Sequence, residues 1–248
     1  MDERRADFLR HVDRAPEFLA EKVILDAGCG NGALSVAIST FGCDVVATDI
    51  SASVESAYRH FNGTPPDRTH FIESDLMSPA LEPGAFDVVY CAGVLHHTPD
   101  SRATFESVAP ALAPGGTIFV WLYWREPGLR ARLSELVRRA LSPLPAPVKH
   151  AAVSLMLPLS MVRNRIRAAR GQAERLNARE SLIRMLDSYT PRYRWNHTPD
   201  DVRDWYCTHG FVDIKVTEEG PHGFGVAARR PDSTTTPSAE TRPDAVRA

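Results

Sequence analysis

Lys22-Val23-Ile24-Leu25-Asp26-Ala27-Gly28-Cys29-Gly30-Asn31-Gly32 is the stretch from which the rest of the chain is read. Val23 to Leu25 is a short apolar run with β-branched residues, the signature of a parallel strand buried on both faces. It ends on a carboxylate and breaks into three glycines at alternate positions. Ala33, Leu34, Val36, Ala37 and Ile38 then continue with the character of an amphipathic or buried helix. Strand, glycine turn and helix together form a backbone cradle, and its N–H groups are expected to be free to face a ligand.

The next strand, Asp44 to Asp49, leaves two cofactor classes open. Gly28-x-Gly30-x-x-Ala33, with Asp49 about twenty residues on, satisfies the dinucleotide fingerprint, in which a pyrophosphate sits on the turn and an acid holds the ribose. Asp26 and Gly32 argue for a different ligand. A carboxylate at the strand end repels a pyrophosphate but gives an ammonium a charge-assisted hydrogen bond. Asp49 stands at the carboxyl end of a strand beside the first, where open α/β sheets bind ligands, and an ordinary helix-capping aspartate would read the same way. A helix from Ser51 to about Phe61 follows, with Ser51 or Ser53 as its cap. His70 to Ser74 reads as a third strand, ending at Asp75-Leu76. Phe86 to Cys91 reads as a fourth, followed by Leu95-His96-His97-Thr98-Pro99-Asp100. Thr98 is the expected cap of the next helix, with Pro99 at its first position. Ala113-Pro114-Gly115-Gly116 then turns into a strand from Thr117 to Tyr123.

Asp26-x-Gly28-x-Gly30-x-Gly32 resembles the first motif of the class I S-adenosylmethionine-dependent methyltransferases. The strand followed by Leu95-His96-His97-Thr98-Pro99-Asp100 resembles the fourth motif of the subgroup typified by ubiquinone and menaquinone methyltransferases, and Ala113 to Gly116 its turn before the fifth strand. The resemblance covers residues 21 to 124. It implies a Rossmann-like, doubly wound α/β fold with a seven-stranded sheet in the order 3-2-1-4-5-7-6, the last strand antiparallel. It also implies S-adenosylmethionine as the cofactor, held by Asp26, Gly28, Cys29, Gly30, Asn31 and Gly32. In that family an acid at the end of the second strand takes the ribose hydroxyls, and an acid after the third takes the adenine amino group. Asp49 and Asp75 match those positions, Ile50 can press on the adenine ring, and Leu76 and Cys91, the latter at the strand end beside the methionine part, are further implied cofactor-binding residues.

The implied reaction is in-line transfer of a methyl group to an oxygen, nitrogen or carbon nucleophile of a small molecule. The sulfonium supplies the leaving group, so the protein must align the reactants and, for a hydroxyl acceptor, remove a proton. Histidine suits proton removal because its pKa lies near working pH. His96 and His97 stand at the strand end nearest the expected methyl and are the candidate bases, unless they only fix the loop. Tyr123, Tyr193 and His197 are candidate substrate contacts. The alternative function is a binder of the same cofactor that is catalytically silent and serves as a partner or regulatory protein. No histidine lies at metal-ligand spacing from other ligand types, so no metal site is expected.

At 248 residues, 43% of them apolar and 24% charged, the chain has the composition of a soluble globular protein. Cys29, Cys43, Cys91 and Cys207 are scattered, with no secretory signal ahead of them, and read as reduced thiols of a cytoplasmic protein. Residues 1 to 20 read as an N-terminal helix with Phe8, Leu9 and Val12 on one face, either docked on the domain or serving as a lid. Residues 125 to 190 read as an inserted helical cap. The net charge of −2 conceals thirteen Lys and Arg against five Asp and Glu between Arg125 and Asp187. Three readings of that insert stand: a solvated basic face, a cap for a hydrophobic acceptor with a negative group, or a helix that contacts a membrane surface transiently. Its apolar run from Ala151 to Val162 is too short to span a bilayer. Nucleic acid is not an expected partner, because aromatic residues are not interleaved with the basic ones. The insert tilts the acceptor toward a hydrophobic or anionic metabolite, as in bacterial secondary metabolism. Residues 191 to 230 complete the core with a helix, capped by Thr198, Pro199 and Asp201, and a hairpin from Phe211 to Arg229. Residues 231 to 248, rich in Pro, Ser, Thr and charge, read as a disordered tail.

Overall fold

The computed structural model describes residues 2–62, 67–125, 128–171 and 176–232. All but the first two residues of the expected disordered tail lie outside them. Five parallel strands run β1 (Val23–Ala27), β2 (Asp44–Asp49), β3 (Thr69–Glu73), β4 (Phe86–Ala92) and β5 (Leu112–Tyr123), completed by the pair β6 (Val212–Glu219) and β7 (Gly223–Arg229). The sheet order is β3-β2-β1-β4-β5-β7-β6. Only β7 is reversed, antiparallel to both β5 and β6. The order reverses between β1 and β4, so the carboxyl ends of β1, β2 and β4 open on one crevice.

The central strands carry apolar residues on both faces because both faces are covered. Leu25, Val89, Cys91, Ile118, Val120 and Leu122 point to one core. Helices α4 (Ser101–Val108) and α8 (Pro199–Thr208) close it with Phe105, Trp205 and Tyr206. The alternate positions Ile24, Val88, Tyr90 and Phe119 point to the other core, closed by α1 (Asp2–Val12) and α2 (Ala33–Ser39). Phe8 and Val12 of α1 are wholly buried there, as is Leu19. The N-terminal segment thus spends its apolar residues on docking to the sheet. It is not one helix over 1–20: Asp13 takes a left-handed φ of 52° and a short 3₁₀ turn, Pro16–Leu19, follows.

Two expected helix caps are displaced. The helix α4 is capped by Asp100, whose carboxylate accepts from the amides of Arg102 (2.9 Å) and Ala103 (3.0 Å). Thr98 is extended (φ −87°, ψ 165°), as a cap residue would be, but its hydroxyl is engaged on the other side. The Thr98 hydroxyl instead donates to the Leu95 carbonyl at 2.7 Å, closing the 3₁₀ turn Leu95–His97. The helix α3 (Ser53–Phe61) has Ala52 at its cap position, with no side-chain cap, because the Ser51 hydroxyl is drawn to Asp49 at 2.7 Å. The cap of α8 is as expected: Thr198 and Asp201 form a reciprocal capping box.

The chain divides into two units, Met1–Trp124 with His197–Ala248, and Arg125–Asn196. The insert therefore runs six residues past its expected end at 190. In the first unit the His197 amide donates to the Tyr123 carbonyl at 2.9 Å, so the sheet releases and recovers the chain at one point. The second unit holds α5 (Leu129–Leu141), α6 (Ala146–Ala169) and α7 (Ala178–Tyr189). Pro158 lies inside α6 rather than ending it. Among the described residues no helix is long and apolar enough to cross a membrane.

Candidate functional site

Asp26 is the penultimate residue of β1 and faces α2, on the same side of the sheet as Ile24. It is 3% exposed and its carboxylate accepts a 2.6 Å hydrogen bond from the Ser35 hydroxyl of α2. Burial pushes its carboxyl up to about 6 from the ordinary 3.8, opposed by the Ser35 hydrogen bond and aided by the neighbouring charge of Asp49. A buried acid with one neutral partner and a second carboxylate nearby is poised to accept a cation.

The glycines after Asp26 let other chain segments approach. Gly28 has φ +89°, and a Cβ on it would stand 2.2 Å from a methyl of Val94. Gly32 has φ +71°, and its Cβ would stand 2.5 Å from the Phe71 ring. Any side chain at either position collides as well as straining the backbone. The cradle differs from the expected one in its donors. The amides of Gly28 and Cys29 both donate to the Thr48 carbonyl, at 2.7 and 2.8 Å. That of Gly30 donates to the Asp49 carboxylate at 2.9 Å, and that of Gly32 to the Cys29 carbonyl at 3.0 Å. The Asn31 side chain, exposed, accepts from the Ala33 amide at 3.2 Å. These N–H groups are spent on tying the loop to β2 and to itself, so the turn is not the anion nest that a pyrophosphate requires.

Asp49 is the hub of the crevice. Besides Gly30 it accepts from the amide and hydroxyl of Ser51, and its own carbonyl accepts from the Ser74 amide at 3.0 Å. That last bond draws the end of β3 alongside. Asp75 follows with an exposed carboxylate that accepts from the Met77 amide at 2.8 Å. Ile50 is 66% exposed, an apolar side chain held at the lip by its neighbour.

Leu76 and Cys91 are placed differently from expectation. Both side chains are buried in the core beneath α4, so only their backbone can face a ligand. Cys29 is also buried, and burial, helped by Asp26 and Asp49, pushes its thiol up to about 12. Burial raises the Cys91 thiol as well, so neither is a nucleophile.

The loop after β4 brings His96, His97 and Tyr123 together. His96 is wholly buried, its ring 4.2 Å from that of Tyr123 and 5.9 Å from that of Trp121. His97 is half-buried, 4.3 Å from His96 and 5.8 Å from Tyr123 between ring centres. His197 belongs to another cluster, where its Nε2 lies 3.1 Å from the Ser101 hydroxyl and its ring meets Trp205 edge-on at 5.0 Å. Tyr193 lies in the second unit, where it lines a recess of about 520 Å³ with Arg138, Arg139, Ser142, Pro143 and Arg192. Among the described residues no three His, Cys, Asp or Glu side chains are grouped as metal ligands.

Three participants escape a reading by motif: Ser35, the Thr48 carbonyl and Val94. Ser35 alone carried a signal, as a hydroxyl inside the apolar run Ala33 to Ile38, where it needs a buried acceptor.

Comparison with known proteins bears on this geometry. Residues 25–118 match the sequence profile of a family described as a methyltransferase domain. The ubiquinone biosynthesis O-methyltransferase of Xanthomonas campestris is 36% identical over 105 residues, 42% of this chain and 44% of that one. This chain spans less than half the length of the curated relatives it matches. Phosphoethanolamine N-methyltransferase 2 of Haemonchus contortus, solved in complex with S-adenosyl-L-methionine, superposes with a TM-score of 0.60 at 15% identity, over 93% of this chain and 53% of that one. Magnesium protoporphyrin IX methyltransferase of Synechocystis, solved with bound S-adenosylhomocysteine, superposes at 0.54 and 18% identity, over 92% and 86% of the two chains. The sheet order and its reversed seventh strand are those of the class I methyltransferase fold.

Proposed function

We propose that this chain, which carries a class I methyltransferase domain, binds S-adenosylmethionine in the crevice at β1, β2 and β4 and transfers its methyl group to a small-molecule nucleophile. The observation that carries the proposal is the buried carboxylate of Asp26 beside a glycine loop whose N–H groups are already engaged. That site suits a ligand bearing positive charge, not a phosphate. When bound, S-adenosylmethionine supplies a methyl group on a sulfonium that departs as a neutral thioether.

Asp26 receives the ammonium end. Asp49 receives the ribose hydroxyls, Ile50 offers its exposed surface to the adenine face, and Asp75 accepts from the adenine amino group. The half-buried His97 is the base for a hydroxyl acceptor. His96, with no exposed surface, positions His97 and Tyr123 instead of meeting the acceptor. The thirteen Lys and Arg against five Asp and Glu between Arg125 and Asp187, beside apolar runs, support an acceptor that is hydrophobic or anionic.

Calorimetric titration with S-adenosylmethionine and S-adenosylhomocysteine tests the cofactor. Micromolar binding of both is expected, with no binding of NAD or FAD. Failure of both in a folded sample overturns the reading. Binding without turnover on a broad panel of acceptors would favour the silent alternative.

A further inference from the structure

The helix α6 is apolar on two opposite faces. Its inner face meets α7: Val153 is wholly buried, the Asn164 side chain accepts from the Leu176 amide at 3.1 Å, and Lys149 Nζ donates to the Thr190 carbonyl at 3.4 Å. These contacts at opposite ends fix an antiparallel pair. On the other side Val148, Leu155, Leu159, Val162 and Ile166 recur at spacings of seven, four, three and four, which places them in one stripe. All five are exposed, Leu155 by 84% and Leu159 by 77%. At 1.5 Å per residue the stripe is about 27 Å long. Leucines this exposed, in a row, are not an ordinary solvated face.

The charges beside the stripe identify its occupant. Helical geometry puts Arg163 about 80° to one side of it and Arg165 about 80° to the other, and both are exposed. Between Leu136 and Ala173 the sequence has seven Lys and Arg and no Asp or Glu. A second copy of the helix would therefore set like charges against like, with no acid to pair. An anionic bilayer offers the complement to both features: hydrocarbon for the stripe and headgroups for arginines that reach outward from its edges.

We propose that the outward face of α6 docks on an anionic lipid surface, the helix lying in the plane of the headgroups. The helix does not cross the membrane. The proposal stands apart from the cofactor reading, since it involves no residue of the crevice.

The test is flotation of the full chain with vesicles of phosphatidylcholine alone, or of equal parts phosphatidylcholine and phosphatidylglycerol, at low and high salt. Binding is expected on the mixed vesicles, weakened by salt, and absent on the neutral ones. The double variant L155S/L159S should lower partitioning roughly 10- to 100-fold, and R163Q/R165Q roughly 10- to 30-fold. Circular dichroism and thermal unfolding should stay unchanged, because all four side chains are exposed; were the double leucine variant to unfold, the single L155S repeats the test. No flotation with mixed vesicles, or flotation indifferent to the leucine substitutions, overturns the proposal. So does a dimer in sedimentation velocity that L155S/L159S dissolves while no vesicle binds, which would assign the stripe to a second copy.

Discussion

Replacing Asp26 by Asn should strengthen the fold while weakening the ligand. Burial raises the folded-state carboxyl to about 6 from 3.8, and the side chain is 3% exposed, so solvent screening does not discount the cost. At about 1.4 kcal/mol per pH unit, keeping the group ionised at neutral pH costs the free protein roughly 3 kcal/mol. Because the folded value is the raised one, this group favours the fold fully below pH 4, and that stability is lost as pH rises through 6. Asn keeps the shape and an acceptor for Ser35. Urea unfolding should show the variant about 1–3 kcal/mol more stable at pH 7, part of the gain being lost with the charged hydrogen bond. The difference from the parent should shrink as pH falls toward 4, where the parent is itself protonated. Titration with S-adenosylmethionine should show the reverse, an affinity loss of roughly 10- to 100-fold, the worth of a hydrogen bond to a charged group. In the parent, binding should also weaken as pH falls below 6, and in the variant that dependence should vanish. A variant less stable than the parent at pH 7, or one with unchanged affinity, would refute the argument that Asp26 is held buried for a cationic ligand.

Asp49→Ala removes the acceptor for Gly30 and Ser51 together with the proposed ribose contact, and calorimetry should register a loss of roughly 1–3 kcal/mol in cofactor binding. Gly28→Ala drives a methyl into Val94 at φ +89°, whereas Gly30→Ala meets nothing within 4 Å; the first should cost about 1–3 kcal/mol of stability in denaturant unfolding, clearly more than the second. His97→Gln should reduce kcat on a hydroxyl acceptor by roughly 10²- to 10⁴-fold with little change in cofactor affinity, while His96→Ala should lower thermal stability along with activity. Thr198→Ala breaks the capping box of α8 and should cost about 1 kcal/mol, read as a Tm lower by about 2–4 °C.

What the amino-acid sequence determined alone is the periodic and local part of the protein. Runs such as Asp44–Asp49 and Gly223–Arg229 are strands because their apolar residues must be buried on both faces, and the bounds agree with the structure. The strand β5 instead starts at Leu112, so the expected turn Ala113 to Gly116 lies inside the strand, where the pairing with β4 shifts register. Thr198, Pro199 and Asp201 make their cap within four residues, so it is legible; Thr98-Pro99 carries the same pattern, but the preceding 3₁₀ turn takes the Thr98 hydroxyl and Asp100 caps the helix instead. The glycine spacing located the crevice, but the expectation of free N–H groups failed. The acceptors for Gly28, Cys29 and Gly30, namely Thr48 and Asp49, lie about twenty residues away and arrive only when β2 pairs with β1.

Only the tertiary structure decided what each polar group costs and which residues face the crevice. The raised carboxyl of Asp26 needs the desolvation made by α2 and its hydrogen bond with Ser35, neither of which is a property of the motif. Leu76 and Cys91 carry the right positions in a motif, yet the pleat of β4 turns the Cys91 side chain into the core and the turn after β3 buries that of Leu76. His96 and His97 are adjacent and chemically alike, and packing under Tyr123 and Trp121 separates a buried ring from a half-exposed one. The stripe on α6 makes the same point in reverse. Sequence places its leucines on one side of a helix, and only the packing of the opposite side against α7 leaves that stripe facing outward.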